Sequence, residues 1–410
     1  MSDEPTTPAL QSFRQRVSQE LAYSFAPERA VFFGHALGRI DVMGGVAALG
    51  GSPVVALSLD RGVQVALQPR DDGQLQVFSF DLFDQHKPFT LQASADAICT
   101  APRDALKQSL AEPGRSWAAI PLGCVRTLRE AGVDVRSGLS IAFQNSLQDD
   151  EASDAALSVA VHRALAAWIG SDEPSVESYL AATRLFADVS PTMADVVACK
   201  AEVAGVLLQI DGATAQSLTL PEGLRVVTMR TGVHHDRREV GARLAEAAQR
   251  GHAHIFEQMR ELGARAGREL IGDPMAGHVG NLEPADYKRF FRPRLPEELQ
   301  DRVDHLVLDA RRTREFIRHI NEARSLQGHP RKLALDKAGH RMYAAHSSLR
   351  DSAGLGDDVA DRVVEQVRRH EHVGLYGARL TDRGQGGTIA VLCNASESAR
   401  ESLAQFEASV

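Results

Sequence analysis

The chain has 410 residues, which is enough for two domains of ordinary size with a hydrophobic core each. Its formal net charge of −8 at pH 7 argues against nucleic acid as a main partner, and its aromatic content of 5% argues against a base-stacking platform. No run of about 18 apolar residues occurs, and the N-terminal stretch MSDEPTTPALQ lacks the basic and apolar regions of a signal peptide. We therefore expect no membrane partner and a cytoplasmic location.

The first half of the chain alternates between strand and helix patterns. Apolar residues at helical spacing predict a helix over 11–23, and glycines over 38–51 predict a conformationally permissive loop. Two β-branched runs around Asp60-Arg61-Gly62 predict a hairpin with strands 53–59 and 63–68. Further elements are predicted in the order strand 75–80, loop 81–88, helix 117–131, strand 138–143 and helix 153–169. This order predicts a mixed α/β domain.

The second half begins again with strands, predicted over 206–210 and 224–229. A stretch rich in Ala, Glu and Arg predicts a long solvated helix over 237–266, and Gly and Pro residues predict an irregular segment over 272–296. The remaining predicted elements are helices 333–348 and 357–370 and strands 376–380 and 388–393, which bracket a glycine loop.

The metal-ligating residue types do not form a convincing site. The cysteines are scattered without a CxxC spacing and are predicted to be buried free thiols: Cys99, Cys124, Cys199 and Cys393. His234-His235-Asp236 and His252-x-His254 have ligand chemistry, but adjacent histidines on a turn point different ways and a predicted helix separates the two groups. We therefore predict no metal site at these positions.

The loop predicted over 38–51 has the residues of a small-ligand cradle. Arg39 and Asp41 offer a fixed cation and anion, and Gly44 and Gly45 allow a ligand to approach the backbone closely. We predict that these four residues, called the polyol cradle below, bind a small polyol. The alternative, that the glycines only form a structural turn, stays open at this point.

Several motifs occur in an order known from one family. Ala26-Pro27, GRIDVMGG and GGSPVV come first, followed by Trp117-Ala118-Ala119 and later by TGVHH after a predicted strand. HSSLRD, and then YGARLT with Gly386-Gly387-Thr388, complete the series towards the C-terminus. Together these motifs resemble those of the GHMP kinases, in the branch that holds galactokinase and L-arabinokinase, over most of the chain.

The resemblance implies a two-domain GHMP-kinase fold, with a ribosomal-protein-S5-like α/β domain over residues 1–215 and a ferredoxin-like α+β domain over residues 216–410. It implies transfer of the ATP γ-phosphate, with Mg²⁺, to the anomeric hydroxyl of a sugar such as galactose or L-arabinose. Arg39 and Asp195 would then be catalytic, although Asp195 also fits a helix-start role after Thr192. Nucleotide contacts are implied for six residues: Ser153, Ala155, Arg383, Gly384, Gly386 and Gly387.

The chain departs from the family at positions that carry the chemistry. Ala48 replaces a sugar-binding aspartate, and Gln148 and Asp150 replace phosphate-loop glycines. Ser158 replaces a metal-binding glutamate, and Ala194 aligns with the catalytic aspartate. Carboxylates at the start of helix 153–169 cap it, and each would repel a nearby phosphate charge by roughly 4 kcal/mol. The leading hypothesis is a pseudokinase, weak or inactive in catalysis, that binds a sugar or partner through the polyol cradle.

Other interpretations stay open. The chain is alternatively an active sugar kinase with rearranged machinery, in which Asp195 is the base and Asp150 or Asp154 holds the metal. Arg383 either contacts a phosphate or pairs with Asp149 or Asp150. A third possibility is that the helical region 237–325 is a scaffold for a protein partner, which the sequence does not identify.

Overall fold

The computed structural model describes residues 8–187, 191–233, 238–266, 268, 270, 272–381 and 387–407. The chain divides into two compact units, each built from two separate stretches. Unit 1 comprises Met1–Gly38 and Leu59–Ala204, and unit 2 comprises Arg39–Ser58 and Gly205–Val410. The domain limits 1–215 and 216–410 stay a prediction.

Unit 1 combines helices with strands. Its helices are α1 (Pro8–Glu20), α2 (Phe80–Asp84), α3 (Ala95–Thr100), α4 (Arg103–Leu110), α5 (Ala119–Glu130), α6 (Ser153–Ile169), α7 (Val176–Phe186) and α8 (Met193–Cys199). Its strands are β3 (Gln74–Ser79), β4 (Thr90–Ser94) and β5 (Gly138–Asn145), with the parts of β1 (Phe32–Met43) and β2 (Val54–Pro69) that lie outside residues 39–58. β3 pairs antiparallel with β4 and parallel with β5, and β5 pairs antiparallel with residues 63–69 of β2.

The predicted hairpin around Asp60-Arg61-Gly62 is wrong, because β2 is one continuous strand of 16 residues. The three residues mark a change of pairing partner: residues 54–57 pair with the strand over 207–210, and residues 63–69 pair with β5. Gly62 is needed because a Cβ there would lie 2.0 Å from the carbonyl oxygen of Ala36 on β1. A glycine that usually indicates a turn therefore allows close approach of two strands here.

The predicted loop over 38–51 begins later than expected. Residues 38–43 belong to β1, and only Gly44 and the 3₁₀ helix Gly45–Gly50 depart from extended structure. The loop predicted over 81–88 is likewise wrong at its start, since α2 covers Phe80–Asp84 and Ser79 caps it. The helix predicted over 153–169 is confirmed with the same bounds.

Unit 2 contains five further strands and six helices in the described residues. The strands are β6 (Leu207–Asp211), β7 (Thr214–Ser217), β8 (Leu224–Arg230), β9 (Leu375–Leu380) and β10 (Thr388–Asn394). The helices are α9 (Arg238–Arg265), α10 (Pro284–Asp286), α11 (Glu297–Ser325), α12 (Gly328–Ser348), α13 (Asp358–Arg369) and α14 (Glu397–Glu407). β10 lies between β8 and β9 in an antiparallel sheet, and β6 pairs with β7 and with residues 54–57 of β2.

α11 is the longest helix of unit 2 in the described residues. The sequence patterns above do not predict it as a separate helix. Its apolar residues bury one face against α12 and the three-stranded sheet in a core that includes Phe316, Ile320 and Ala338. Another part of α11 packs on α9 through Leu299, Val303 and neighbouring residues. α9 was expected to be solvated, but its Leu244 and Ile255 are fully buried, so α9 is an amphipathic helix rather than a solvated one.

The four cysteines are free and buried, as predicted. Within the described ranges, none of the helices combines the length and the apolar character that crossing a membrane requires.

Candidate functional site

The turn that precedes α6, residues 148–152, is called the acidic turn below. Its centre is a 3₁₀ helix over Asp149–Glu151. The N–H of Gln148 donates to the Glu151 carboxylate at 3.0 Å, and the N–H of Glu151 donates to the Gln148 carbonyl at 3.0 Å. The turn therefore uses its own Glu151 side chain to satisfy a backbone N–H, a kind of group that a phosphate-binding loop leaves for its ligand.

Arg61 on β2 holds the Glu151 side chain, which is fully buried. Its Nε donates to Glu151 Oε2 at 3.0 Å, and its Nη2 donates to Oε1, so the contact is bidentate. The hydrogen bonds to Glu151 raise the pKa of Arg61 above its ordinary value. The negative charge of Glu151 is thus neutralised by a protein side chain.

Asp150, next to Glu151, is 1% exposed. Among the described residues, neither of its carboxylate oxygens has a hydrogen-bond partner. Ala152 closes the turn with a left-handed φ of 60°, which is unusual for a residue with a Cβ. Ser153 and Ala155, the predicted nucleotide contacts, are half-buried and buried in the first turn of α6, and their predicted role stays a prediction.

Ser158 lies in the core between α6, α5 and α7. Its Oγ donates to the Tyr179 carbonyl at 3.1 Å and lies 3.9 Å from Cys124 Sγ. Burial raises the pKa of the Cys124 thiol to about 12. One turn further on, His162 Nδ1–H donates to the Ser158 carbonyl at 2.8 Å, and burial lowers the pKa of His162 to about 4. The Ser158 side chain is therefore committed to packing between helices.

Asp195 lies at the start of α8 and is 6% exposed. Its carboxylate accepts a hydrogen bond from the Thr192 N–H at 2.6 Å, and Thr192 Oγ1 accepts one from the Asp195 N–H at 3.3 Å. This reciprocal pair is a capping box. The helix-start interpretation of Asp195 is confirmed, whereas its catalytic role stays a prediction.

The polyol cradle lies where β1 ends, in unit 2. Arg39 is 4% exposed and donates from Nη1 to Asp41 Oδ1 at 2.8 Å, and Asp41 is fully buried. A Cβ on Gly44 would lie 2.2 Å from the Pro53 carbonyl oxygen, and a Cβ on Gly45 would lie 2.1 Å from Asp41 Oδ2. Both glycines are therefore required by packing within the protein, and ligand binding by the cradle stays a prediction.

Arg379 on β9 lies beside the cradle. Its Nη2 lies 3.6 Å from Asp41 Oδ2, its Nη1 lies 3.9 Å from Asp309 Oδ2 on α11, and its Nε donates to the Leu380 carbonyl. Arg379 and Asp309 are both fully buried. Sequence reasoning missed both residues, although Arg379 stands within the YGARLT motif.

Known proteins resemble this chain over most of its length, although no protein-family model matches it. L-arabinokinase from Arabidopsis thaliana is 24% identical over 89% of the chain, but the chain spans only 43% of that protein. Galactokinase from Chloroflexus aggregans is 28% identical over 88% of the chain and 83% of its own length. The solved structure of Lactococcus lactis galactokinase complexed with galactose superposes with a TM-score of 0.73 at 17% identity, covering 97% of this chain and 95% of that one. The chain is thus similar, at a distance, to galactokinases and to L-arabinokinase over most of its length.

Other GHMP-fold enzymes are similar at a greater distance. Phosphomevalonate kinase from Streptococcus pneumoniae, in complex with phosphomevalonate and AMPPNP, has a TM-score of 0.54 at 12% identity over 93% of this chain and 96% of that one. The predicted GHMP-kinase fold, mixed α/β with two sheets, is thereby confirmed.

Part of the family's third motif falls outside the described residues. The part that is not described includes three predicted nucleotide contacts: Arg383, Gly384 and Gly386. The His234-His235-Asp236 group also lies outside the described residues. Gly387 is described: its carbonyl accepts the Thr231 N–H at 3.1 Å, and a Cβ there would lie 2.1 Å from Thr231 Oγ1. Gly387 thus joins the ends of β8 and β10, and its predicted nucleotide contact stays a prediction.

No group of three or more His, Cys, Asp or Glu side chains is arranged to hold a metal ion in the part of the chain that the structure describes. His252 Nε2 lies 2.7 Å from Asp273 Oδ2. The Asp273 carboxylate also accepts hydrogen bonds from the N–H groups of Met275 and Gly277. That aspartate therefore organises a turn in the segment after α9.

Proposed function

We propose that this galactokinase-like and arabinokinase-like protein has lost most or all of the family's ability to transfer phosphate from Mg-ATP to a sugar. The observation that carries the proposal is the acidic turn. Glu151 is fully buried, paired with Arg61 and bonded to the backbone of Gln148. A turn whose Gln148 N–H already binds a carboxylate offers fewer free N–H groups to a triphosphate.

Electrostatics supports the same proposal. Asp150 is almost completely buried at the position of a family glycine. A phosphate oxygen about 4 Å from such a carboxylate would be repelled by roughly 4 kcal/mol at an effective dielectric constant of about 20. The residues of the acidic turn therefore do not fit Mg-ATP in the family's usual mode, and we derive no catalytic step through it.

The replaced metal ligand supports it as well. Ser158 lies in the core and donates to the Tyr179 carbonyl, so its side chain is held among α5, α6 and α7. Phosphoryl transfer depends on a metal ion that neutralises the phosphate oxygens. A serine committed to a backbone carbonyl is a poor substitute for a metal-binding glutamate.

We also propose the finer features that the family suggests. They are a ribosomal-protein-S5-like domain over residues 1–215, a ferredoxin-like domain over residues 216–410, a cytoplasmic location, and a sugar as ligand of the polyol cradle. The sugar follows from the similarity to a galactokinase whose solved structure contains galactose.

A second candidate function is an active sugar kinase with rearranged machinery. One observation favours it: both oxygens of buried Asp150 have no hydrogen-bond partner among the described residues. A divalent cation held by Asp150 or Asp154 would turn the acidic turn from repulsive to attractive. Asp195 would then be the base.

Titration calorimetry with Mg-ATP up to the millimolar range tests the leading proposal without any choice of sugar. We expect no heat and no thermal stabilisation. Micromolar binding would refute the loss of the nucleotide site. The double variant Gln148→Gly/Asp150→Gly is the matched control: if the acidic turn blocks the nucleotide, this variant should bind Mg-ATP more tightly than the parent chain.

ADP release with a panel of sugars separates the two candidates. In an active kinase, Asp195→Ala should abolish turnover, while Asp195→Asn would keep the helix cap and also lose activity. In a pseudokinase, both variants match the background rate of the parent chain. Calorimetry with galactose and L-arabinose reports the sugar site independently of ATP.

A further inference from the structure

Unused polar atoms of four side chains converge inside unit 2. His305, Asp309 and Arg312 follow one another at helical spacing along one face of α11, and Arg379 faces them from β9. His305, Asp309 and Arg379 are fully buried, and the Arg312 side chain is 19% exposed. These four residues are called the buried polar cluster below.

The charged atoms of the cluster are close but too far apart for direct hydrogen bonds. Asp309 Oδ1 lies 3.6 Å from Arg312 Nη1, and Asp309 Oδ2 lies 3.9 Å from Arg379 Nη1. Direct N–H···O bonds span about 2.7–3.2 Å. A polar contact of more than about 3.5 Å leaves both groups able to hydrogen-bond to an oxygen atom beside them.

Six atoms of the cluster have no hydrogen-bond partner in the described part of the chain. They are His305 Nε2, Asp309 Oδ1 and Oδ2, Arg312 Nη1, and Arg379 Nη1 and Nη2. The other ring nitrogen of His305 lies 3.0 Å from Ser348 Oγ, which fixes the imidazole in place. Native proteins pair nearly all of their buried polar groups, so six in one place indicate a bound polar molecule.

The chemistry of the six atoms defines the class of that molecule. The three guanidinium nitrogens only donate, and the two carboxylate oxygens only accept. An anion would satisfy the arginines but not Asp309, and a metal cation would satisfy Asp309 but not Arg312 or Arg379. A hydroxyl group both accepts and donates, and it satisfies both kinds of partner.

We propose that the buried polar cluster is an internal hydroxyl-binding site between α11 and β9, occupied by ordered water or by the hydroxyl of a small polyol. The site adjoins the polyol cradle, because Arg379 Nη2 also lies 3.6 Å from Asp41, which accepts a hydrogen bond from Arg39. It does not depend on the loss of ATP binding.

A crystal structure of the full chain, at a resolution that resolves ordered solvent, tests the proposal directly. We expect one or more oxygen atoms about 2.6–3.2 Å from both Asp309 and an arginine of the cluster. Side chains that close into direct Arg379–Asp309 hydrogen bonds with no solvent between them would overturn it. So would an anomalous peak in a bromide-soaked crystal, because it would identify an anion.

Crystals grown with galactose, L-arabinose or glycerol distinguish the two sources of the hydroxyl. Continuous density for a carbon skeleton in the cluster would identify the polyol, and unchanged separate oxygen atoms would identify water. Either result supports the hydroxyl site. If none of the crystals shows an oxygen atom in the cluster, the hydroxyl site is refuted.

A pair of variants on α11 tests the site in solution. Asp309→Leu removes both acceptors, so we expect loss of the solvent density and a clear decrease in Tm. Asp301→Leu is the matched control, since the Asp301 side chain is 74% exposed on the same helix and its replacement should leave Tm almost unchanged. Equal Tm values for the two variants would contradict the proposal, and the crystal of the unmodified chain decides if Asp309→Leu does not fold.

Discussion

The acidic turn of unit 1 and the polyol cradle of unit 2 use the same residue types in different ways. In the acidic turn, Arg61 contacts Glu151 directly with two hydrogen bonds. Beside the cradle, Arg379 lies 3.6 Å from Asp41 and 3.9 Å from Asp309. The Arg61–Glu151 pair is closed by protein atoms alone, whereas the contacts of Arg379 leave hydrogen-bonding capacity that a third molecule can use.

The comparison teaches that the separation of charged groups, rather than their identity, indicates whether a buried site is structural or binds something. A bidentate arginine–carboxylate pair consumes the bonding capacity of both groups. Buried charges held apart retain that capacity and need another partner.

The largest expected effect comes from breaking the unit 2 arrangement. Arg379→Met leaves Asp41 and Asp309 buried without that guanidinium, and removing one partner of a buried ion pair costs about 3–5 kcal/mol. We expect urea unfolding to show a loss of this size. The control is Arg369→Met, whose pair with Glu365 is largely exposed and should contribute less than about 1 kcal/mol. Similar losses in the two variants would contradict the assigned burial of Arg379.

A smaller loss is expected in unit 1. Arg61→Met leaves the Glu151 carboxylate without its bidentate partner, but the Arg61 side chain is 32% exposed, so water can reach the site. The loss should be about 1.5–3 kcal/mol, the usual value for a hydrogen bond to a charged group. Arg61→Lys keeps the positive charge, so its loss of stability should lie between zero and that of Arg61→Met. A larger loss for Arg61→Met than for Arg379→Met would reverse the comparison.

Acid should destabilise both units through one buried histidine in each. Burial lowers the pKa of His162 in unit 1 and of His305 in unit 2 to about 4. Between about pH 6.5 and pH 4 the unfolded chain therefore binds a proton that the folded chain does not, and stability falls as the pH falls through this window. Each histidine should remove about 2 kcal/mol between pH 7 and pH 5.

Unfolding of His162→Gln and His305→Gln at both pH values checks this expectation. Each variant should lose stability at pH 7 and show a weaker dependence on pH than the parent chain. His340→Gln, at an exposed position, should keep the full dependence. An unchanged dependence in both buried variants would contradict the assigned pKa values.

The smallest effect is expected at the cap of α8. Asp195→Ala removes the bond to the Thr192 N–H, and losses of helix caps are typically about 1 kcal/mol. Asp195→Asn retains an acceptor and should recover part of the loss. Thermal unfolding measures both, and a loss above about 3 kcal/mol would indicate a role beyond capping.

The sequence predicted the elements whose local pattern and tertiary setting agree. α6 has the predicted bounds because apolar residues surround it on nearly every side, and its glycine C-cap ends it clearly. The hairpin failed because Gly62 has a packing role that only the neighbouring strand β1 explains. α11 was missed because its many charged residues are typical of a solvated surface.

Of the candidate site, only the residues within the GRIDVMGG motif could be predicted from the sequence. Arg39 and Asp41 are close in the chain, so their pairing follows from one short motif. Asp309 and Arg379 are distant from them in sequence and from each other, and an aspartate inside a long charged helix carries no local sign of burial. The acidic turn was recognised as a departure, but its partner Arg61 was assigned to a turn that does not exist.

The discontinuous make-up of the two units has a consequence for dissecting the gene. Residues 39–58 precede most of unit 1 in the chain but belong to unit 2. A truncation after Ala204 would therefore deprive the C-terminal half of Arg39, Asp41 and the strand that pairs with β6. The C-terminal half expressed alone should therefore fail to fold when the break is made there. A fusion that joins Ser58 directly to Gly205, whose N–H donates to the Ser58 carbonyl at 2.9 Å, is the rational way to obtain unit 2 alone.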